Sequence, residues 1–493
     1  MSLRDLFPVL PEGSRLHGPQ VSPSIADVTH DSRAAGPGVL FACRPGQRVD
    51  GHAFAPAAVA AGSPALLAER ELALEVPQLI TESVTAALGP VAAAVHGQPS
   101  QAMTLCGVTG TNGKTTTAFL LESILRAAGH VTGLVGTVHT RIAGDVIPGV
   151  RTTPEATDLQ RLLRRMRKAG VTGCAMEVSS HGLALGRVAG TRFAVAAFTN
   201  LTQDHLDFHA DLEDYFAAKA RLFQADLSAR GVINVDDPYG RRLAASAPIE
   251  ILRVSASGQQ PADATARDVR CTPEGSVFIA EIAGVRTDVR TLLPGRFNVD
   301  NALCALAAAT AVGIDLPIAA AGVAALPGVP GRMQRVDVGQ PFTVLVDYAH
   351  TPDSLTHVLA GARDLSPTGR VLVVIGCGGD RDRAKRPLMG AAAARFADRA
   401  VLTSDNPRSE DPLAILEAVA AGARASGGDW QIQPDRRAAI GLALAEARPG
   451  DVVVIAGKGH EAYQELADQT VVFDDVEVAR EWLEAADRSG AGS

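Results

Sequence analysis

Residues 107–117 read GVTGTNGKTTT, and the order of types in them is that of a phosphate-holding loop. Gly110, Thr111, Asn112 and Gly113 can turn their backbone N–H groups toward an anion, and Lys114 can meet the β- and γ-phosphates of a nucleotide. Thr115 can ligate Mg²⁺, and Thr116 follows it into the N-terminal turn of a helix. The strict pattern G-x-x-x-x-G-K-[ST] asks for glycine at 108, where this chain has Val108. The apolar strand before the loop and the helix after it favour phosphate binding over a glycine-rich turn with a solvated lysine.

Two other stretches end apolar strands in polar groups, where open α/β sheets hold their ligands. AMEVSSHG places Glu177 in the strand and Ser179, Ser180 and His181 just beyond it; FTNLTQDHLDFH leaves Asn200, Asp204 and His205 past another. Each alone reads as a cap or a turn. Beside a phosphate loop, Glu177 and His205 suit divalent ions that bridge nucleotide phosphates. A third stretch, DLEDYFAAKARLF (Asp211 to Phe223), reads as an amphipathic helix with an acidic N-cap, on which Lys219 shares the apolar face of Tyr215, Leu222 and Phe223. Burying an ammonium is costly, so burial favours the neutral amine. That amine can add CO₂ to give a carbamate, an anion able to ligate Mg²⁺. The alternative is a lysine that snorkels past its neighbours to water.

The elements that must position these groups alternate strand and helix. MTLCGVTG, GCAMEV and FAVAAFTNL read as strands around the helix TTTAFLLESILRAAG, which ends at Gly129. FTVLVDYA, RVLVVIGCGG, RAVLTSD and DVVVIAGKG repeat the rhythm, with helices from Thr351-Pro352 and from about Pro387. This is an α/β fold built on mostly parallel sheet. With 493 residues the chain needs about three domains. Pro/Gly-bearing joints at HGQPSQ and LPGVPGR divide it into 1–98, 99–329 and 330–493. The first unit has few periodic signals, and the tail AADRSGAGS is expected to fray.

A net charge of −8 argues against nucleic acid as a partner, and no apolar stretch reaches the length of a membrane span. Six scattered cysteines, without zinc spacing, suggest buried free thiols in a reducing compartment, so a cytoplasmic protein is expected.

Ten stretches taken in order, TGTNGKTTT, MEVSSHGL, NLTQDHLDFH, DYFAAKARLF, GRFNVDNALCAL, GRMQRV, VDYAHTPDSL, GCGGDRDRAKRPLMG, DNPRSEDP and AGKGHEAYQ, resemble the Mur ligases, and among them the members that add the third peptide residue of the peptidoglycan precursor. The resemblance implies a UDP-sugar-binding domain, a central P-loop ATPase domain and a C-terminal Rossmann-like domain that binds an amino acid. It implies ATP and two Mg²⁺, one ion held by Thr115 and Glu177 and the other by His205 and carbamylated Lys219. Asn298 and Asn301 would lie at the adenine side, and Arg332 and Asp347, with His350 nearby, would reach the nucleotide from the C-terminal domain. Ser32 and Arg33, Thr152, Thr153, Ser179 and Arg187 match contacts to UDP-MurNAc-dipeptide; Leu185 stands where some relatives carry glutamine. Arg381, Asp405, Asn406, Arg408, Gly457 and Glu461 would line the acceptor site, with Glu461 facing an ammonium group.

Relatives with DNPR usually take meso-diaminopimelate, whose distal carboxylate suits the planar fork of Arg408. If Arg408 instead caps a loop through Asp405 or Glu410, lysine or ornithine is the acceptor. The implied partners are thus small molecules, and the chain is expected to act as a monomer. Two rivals are a folate polyglutamate or cyanophycin-type ligase, against which DNPR and GKGHE weigh, and a P-loop ATPase without ligase activity. A dinucleotide oxidoreductase fails on spacing, since Arg381 stands where G-x-G-x-x-G needs glycine.

Overall fold

The computed structural model describes residues 1–46, 49–149 and 151–490. The chain passes through three sheets in turn. The first has five short strands, in the spatial order Arg15–His17, Gln78–Ile80, Ala65–Ala68, Val39–Ala42, Asp27–Thr29, parallel except for the first pair. Leu40, Leu67 and Leu79 pack from it against Val84, Leu88 and Val91 of the helix Val84–Val95. Strands of three or four residues are too brief to print a period on the sequence, which is why this unit is mute to pattern reading.

The second sheet has eleven strands. At its centre Thr104–Thr109 lies parallel between Gly173–Glu177 and Val195–Phe198. Thr132–Val135 extends the parallel core on one side, and Arg230–Asn234 and Glu250–Ser255 on the other. Antiparallel strands complete both edges: His139–Ile142 with Asp145–Pro148, and Ala264–Thr272 with Gly275–Ile282 and Val285–Thr291. One face is covered by the helices Lys114–Ala127, Arg296–Ala311 and Leu316–Ala324. Small residues let them approach: a Cβ on Gly322 would stand 2.5 Å from Ile124 Cα, and Ser123 Oγ donates to the Gly322 carbonyl at 2.7 Å.

The third sheet runs Gln334–Val336, Thr343–Asp347, Val452–Ala456, Val371–Ile375, Arg399–Leu402, Trp430–Ile432, antiparallel only at the first pair. Its central strands are buried on both faces, as their unbroken valine-rich runs require. Helices Pro352–Leu365, Lys385–Phe396 and Pro412–Ser426 cover one face, Arg436–Glu446 and Asp475–Gly490 the other.

Several details depart from the sequence reading. The helix expected from about Pro387 begins at Lys385, so Pro387 lies in the first turn, where its missing N–H costs nothing. The helix Lys114–Ala127 stops before Gly129, whose φ of +87° ends it. The tail, expected to fray, is helical to Gly490, and residues 491–493 lie outside the described residues. Of the six cysteines five are buried, while Cys271 is half-buried.

Among the described residues Arg436 and Asp475 are both fully shielded and paired through two bonds, Nε to Oδ1 at 2.8 Å and Nη2 to Oδ2 at 2.6 Å. Arg436 Nη2 also donates to the Ala456 carbonyl at 3.0 Å, at the end of a central strand. Removing one partner of such a pair strands a buried charge, at a cost of about 3–5 kcal/mol. Asp475→Ala is therefore expected to lower the urea midpoint of unfolding by that equivalent; an unchanged midpoint would contradict the pairing.

Candidate active site

The phosphate loop leaves the centre of the second sheet. Its shape is imposed by the neighbouring strand's exit: Thr111 N donates to the Asn200 carbonyl, Asn112 N to Asn200 Oδ1 at 2.8 Å, and Thr199 Oγ1 to the Asn112 carbonyl at 2.6 Å. Gly110 and Gly113 are required by space. A Cβ on Gly110 would lie 1.9 Å from Thr199 Oγ1, and one on Gly113, where φ is +86°, 2.2 Å from Asn301 Oδ1. Val108 is a fully buried strand residue paired in register with Glu177 and Ala197, so the turn begins at Gly110 and a glycine at 108 serves no purpose here. The helix that follows opens at Lys114 and leaves its first N–H groups unpaired within the helix.

A cavity of about 810 Å³ spans from this loop to the third unit. Thr115 Oγ1 donates to Glu177 Oε2 at 3.0 Å, and Glu177, itself buried, also accepts from Thr137 N and Thr137 Oγ1. Behind the loop, Lys219 Nζ donates to the Gly110 carbonyl at 2.7 Å, and Lys114 Nζ donates to the same carbonyl at 2.9 Å and to that of Thr111. Lys219 does not snorkel. It is 1% exposed, stacks over Tyr215 at 4.4 Å, and has no carboxylate within ion-pair distance among the described residues. Its helix, Leu212–Ala220, is capped by Asp211, and Leu222 and Phe223 follow in a buried 3₁₀ turn. Burial, reinforced by the charge of Lys114, holds Lys219 well below the usual lysine range; burial also lowers Lys114, against the pull of Glu177 and Asp204.

His205 lines the same cavity with a backbone φ of +55°, a conformation that non-glycine residues adopt at some cost. Its Nε2 is 3.4 Å from Asp204 Oδ2, and burial pushes its pKa down to about 4, leaving a neutral ring with a nitrogen lone pair. Thr115 and Glu177 fit a hard divalent cation, having two oxygens side by side. Among the described residues no three His, Cys, Asp or Glu side chains converge as a metal cluster, so such an ion would draw further ligands from phosphate, water or a modified lysine.

The third unit closes the cavity. Arg332 Nη2 donates to Thr115 Oγ1 at 3.1 Å, with its guanidinium 4.6 Å above the Tyr348 ring. Asp347 accepts from Met333 N and Ala349 N, and burial raises its pKa against the opposing charge of Arg332. His350 also lines the cavity. Asn298 and Asn301 face the loop from the helix Arg296–Ala311, joined by an Asn301 Nδ2 to Asn298 Oδ1 bond of 3.0 Å. Asp353, which sequence reasoning passed over, accepts from Asn112 Nδ2 at 3.1 Å and Thr202 Oγ1 at 2.7 Å and so ties the phosphate loop to the third unit. Its only sequence signal was an acidic residue in a helix first turn.

Thr152, Ser179 and Arg187 also line the cavity, Thr152 Oγ1 lying 3.0 Å from Thr137 Oγ1, which itself donates to Glu177. Thr153 stands just behind, its Oγ1 between the Glu177 carbonyl and Ser179 Oγ. Arg187 pairs with Glu155 at 2.7 Å, and Arg44 of the first unit reaches the same carboxylate at 3.0 Å; neither Arg44 nor Glu155 was singled out from sequence. Ser32 and Arg33 sit in a short 3₁₀ turn of the first unit and do not line the cavity, and Arg33 is held by Asp31. Leu185 ends the short helix Ser180–Ala184.

Arg381 lines the cavity, whereas Asp405, Asn406, Arg408, Gly457 and Glu461 form an adjoining cluster beyond Tyr348, whose hydroxyl is 3.5 Å from Glu461 Oε1. Asn406 Nδ2 donates to Glu461 Oε2 at 3.0 Å, and a Cβ on Gly457 would meet Asp405 Oδ2 at 2.8 Å. The loop cap considered for Arg408 through Asp405 or Glu410 is not formed. Glu410 is taken by Arg386 and Arg383, and Arg408 instead donates to the Gly379 carbonyl and lies 2.6 Å from Glu465 Oε2. Arg408, like His205, holds a left-handed backbone, with φ of +53°.

A phosphate loop that shares its cavity with a second α/β unit, beside a cluster of carboxylates and guanidinium, defines an ATP-using enzyme that gathers more than one substrate. Residues 24–98 match the model described as "Mur ligase family, catalytic domain", 108–309 the "Mur ligase middle domain" and 331–459 the "Mur ligase, glutamate ligase domain". A protein of Streptomyces coelicolor named UDP-N-acetylmuramoyl-L-alanyl-D-glutamate--2,6-diaminopimelate ligase is 50% identical over 94% of this chain and 93% of its own length. One of the same name from Geobacillus thermodenitrificans is 47% identical over 93% and 95%. A solved structure of a ligase of that name is 35% identical, with a TM-score of 0.72 and coverage of 99% of both chains. Folylpolyglutamate synthase of Mycobacterium tuberculosis shares the fold at 21% identity, TM-score 0.61, over 75% of this chain and 91% of its own. The chain belongs to the Mur ligase family.

The crowding at Gly113 yields a direct expectation. Gly113→Ala must displace Asn301 or the loop, so the affinity for ATP measured by calorimetry should fall more than tenfold while the thermal unfolding midpoint changes little; unchanged affinity would contradict the close approach.

Proposed function

We propose that the chain joins meso-diaminopimelate to UDP-N-acetylmuramoyl-L-alanyl-D-glutamate at the expense of ATP. The observation that carries this reading is that one cavity is lined by the phosphate loop together with Thr152, Ser179 and Arg187, and that the Arg408 cluster adjoins it past Tyr348. The names of the most similar relatives support it. In this reading residues 1–98 hold the UDP-sugar, 99–329 the nucleotide, and 330–493 the amino acid.

In the first step a carboxylate oxygen of the dipeptide attacks the γ-phosphorus, the bond to the β-phosphate oxygen breaks, and ADP leaves an acyl phosphate. In the second, the amine of the incoming amino acid attacks the acyl carbon, loses a proton, and phosphate departs as the amide forms. The chain supplies no nucleophile. Lys114 and Arg332 gather the phosphates, the unpaired N–H groups at the start of the helix from Lys114 hold their oxygens, and Tyr348 with the third unit keeps water from the acyl phosphate. Mg²⁺ held by Thr115 and Glu177, and a second ion held by His205 and carbamylated Lys219, would supply charge neutralisation when bound.

The carbamate rests on the surroundings of Lys219: a buried amine, beside a second lysine, on one carbonyl. The ammonium gives up one proton to become the neutral amine, and addition of that nitrogen to CO₂ with release of a second proton exchanges a stranded cation for an anion. The site needs no macromolecular partner, and we place the enzyme in the cytoplasm as a monomer. Among the described residues no helix is long and apolar enough to cross a membrane.

Incubation with ATP, the UDP-sugar dipeptide and each diamino acid, followed by mass measurement of the products, tests the function. The tripeptide product with ADP and phosphate is expected only when all three substrates are present, and with meso-diaminopimelate over lysine or ornithine; steady ATP turnover with neither the dipeptide nor an amino acid present, and no tripeptide when all are present, would refute it. Lys219→Ala should lose nearly all ligation and recover part of it with short carboxylates, and full activity without them would remove the carbamate. Arg408→Ala should raise the KM for meso-diaminopimelate at least tenfold while KM for ATP and the UDP-sugar stay within about twofold; equal rises in all three would exclude an acceptor role.

A further inference from the structure

Lys458 is completely buried beneath the acceptor cluster, in a position the sequence reading did not single out. Its Nζ donates to Asn406 Oδ1 at 3.0 Å and lies 3.6 Å from Glu461 Oε2 and 3.9 Å from Asp405 Oδ1, with the Tyr463 ring 5.5 Å away. The Asn406 amide is thereby fixed. Its oxygen accepts from Lys458 and from Glu465 N, which leaves its Nδ2 to donate to Glu461. Below Lys458, Arg436 and Asp475 cancel each other, and at the rim Arg408 and Glu465 do the same. What remains is two carboxylates and one ammonium, a net charge of −1 that a single ammonium group of a ligand neutralises.

We propose that Lys458 is the positioning residue of the acceptor site: it locks the Asn406 amide and sets a positive charge against Glu461 and Asp405, so that the site selects an amino acid presenting an ammonium group to Glu461. This rests on the reading that the cluster binds the incoming amino acid. The electrostatics agree with the geometry. Burial raises the pKa of Glu461, as does Asp405, while Lys458, then the hydrogen bond from Asn406 and then Arg408 oppose the rise; Tyr348 and Tyr463 are the other titratable groups facing the cluster. Glu461 is a carboxylate above its pKa. Removing Lys458 lets that pKa climb further, so the ammonium-binding form is lost at a higher pH.

The test compares kcat/KM for the diamino acid against pH in the full-length wild type and Lys458→Met, with KM for ATP measured alongside. We expect KM for the amino acid to rise at least tenfold, KM for ATP to stay within twofold, and the acid limb of the profile to move up by about one pH unit. Lys458→Arg should return the limb toward its wild-type position. Lys458→Gln, which keeps a donor to Asn406 without the charge, gives the same comparison if the methionine variant does not fold. An unmoved limb in the uncharged variants, or equal rises in both KM values, overturns the proposal. Failure of the functional reading itself would appear in the wild type, as absence of ligation of any diamino acid, whereas failure of this proposal appears only in the variants.

Discussion

Lys114 and Lys219 both donate to the carbonyl of Gly110, and that crowding of two amines at one acceptor is the constraint on which the account of the site depends. Neither lysine has a carboxylate in contact among the described residues; Lys219 is fully buried, and Lys114 is half-buried in the cavity wall. A buried cation without a partner is among the costliest arrangements a protein can hold. The loop is therefore a place where incoming negative charge is stabilising, whether it arrives as triphosphate at Lys114 or as a carboxylate grown on Lys219.

The same constraint explains why the cavity is built from two units. Arg332 reaches Thr115 and Asp353 reaches Asn112 and Thr202, so the third unit touches the phosphate loop at two points and the neighbouring strand's exit at a third. A loop dense in positive charge can be shielded from solvent only by a lid that carries compensating groups. Asp347 and Asp353 bring those from one strand end and the first turn of the next helix. The cluster proposed to bind the amino acid hangs from the same sheet, so in that reading delivery of the amino acid would be coupled to closure over the nucleotide.

What could be read in the sequence was what local chemistry dictates. The loop glycines, the Asp211 cap, the apolar face shared by Lys219 and Tyr215, and the Thr351-Pro352 helix start are each fixed by neighbours in the chain. Among the edge strands of the second sheet, Asp145–Pro148 escaped because it is largely exposed and carries no apolar alternation. Asp353, Lys458 and Glu465 escaped for another reason. Their partners are distant in sequence: Asn112 lies 241 residues from Asp353, and Asn406 lies 52 from Lys458. Nothing local distinguishes them from surface charges. The partner of Arg408 shows the same limit, since two nearby carboxylates were weighed and the one that pairs with it comes from a strand of the small two-stranded sheet Tyr463–Glu465 and Thr470–Val472.

The most direct measurement of the charge argument is carbon-13 NMR of the protein equilibrated with labelled bicarbonate near neutral pH. A carbamate resonance that is present in the wild type and absent in Lys219→Arg is the predicted result. A wild-type spectrum with no such resonance, in protein that still binds ATP, would contradict it.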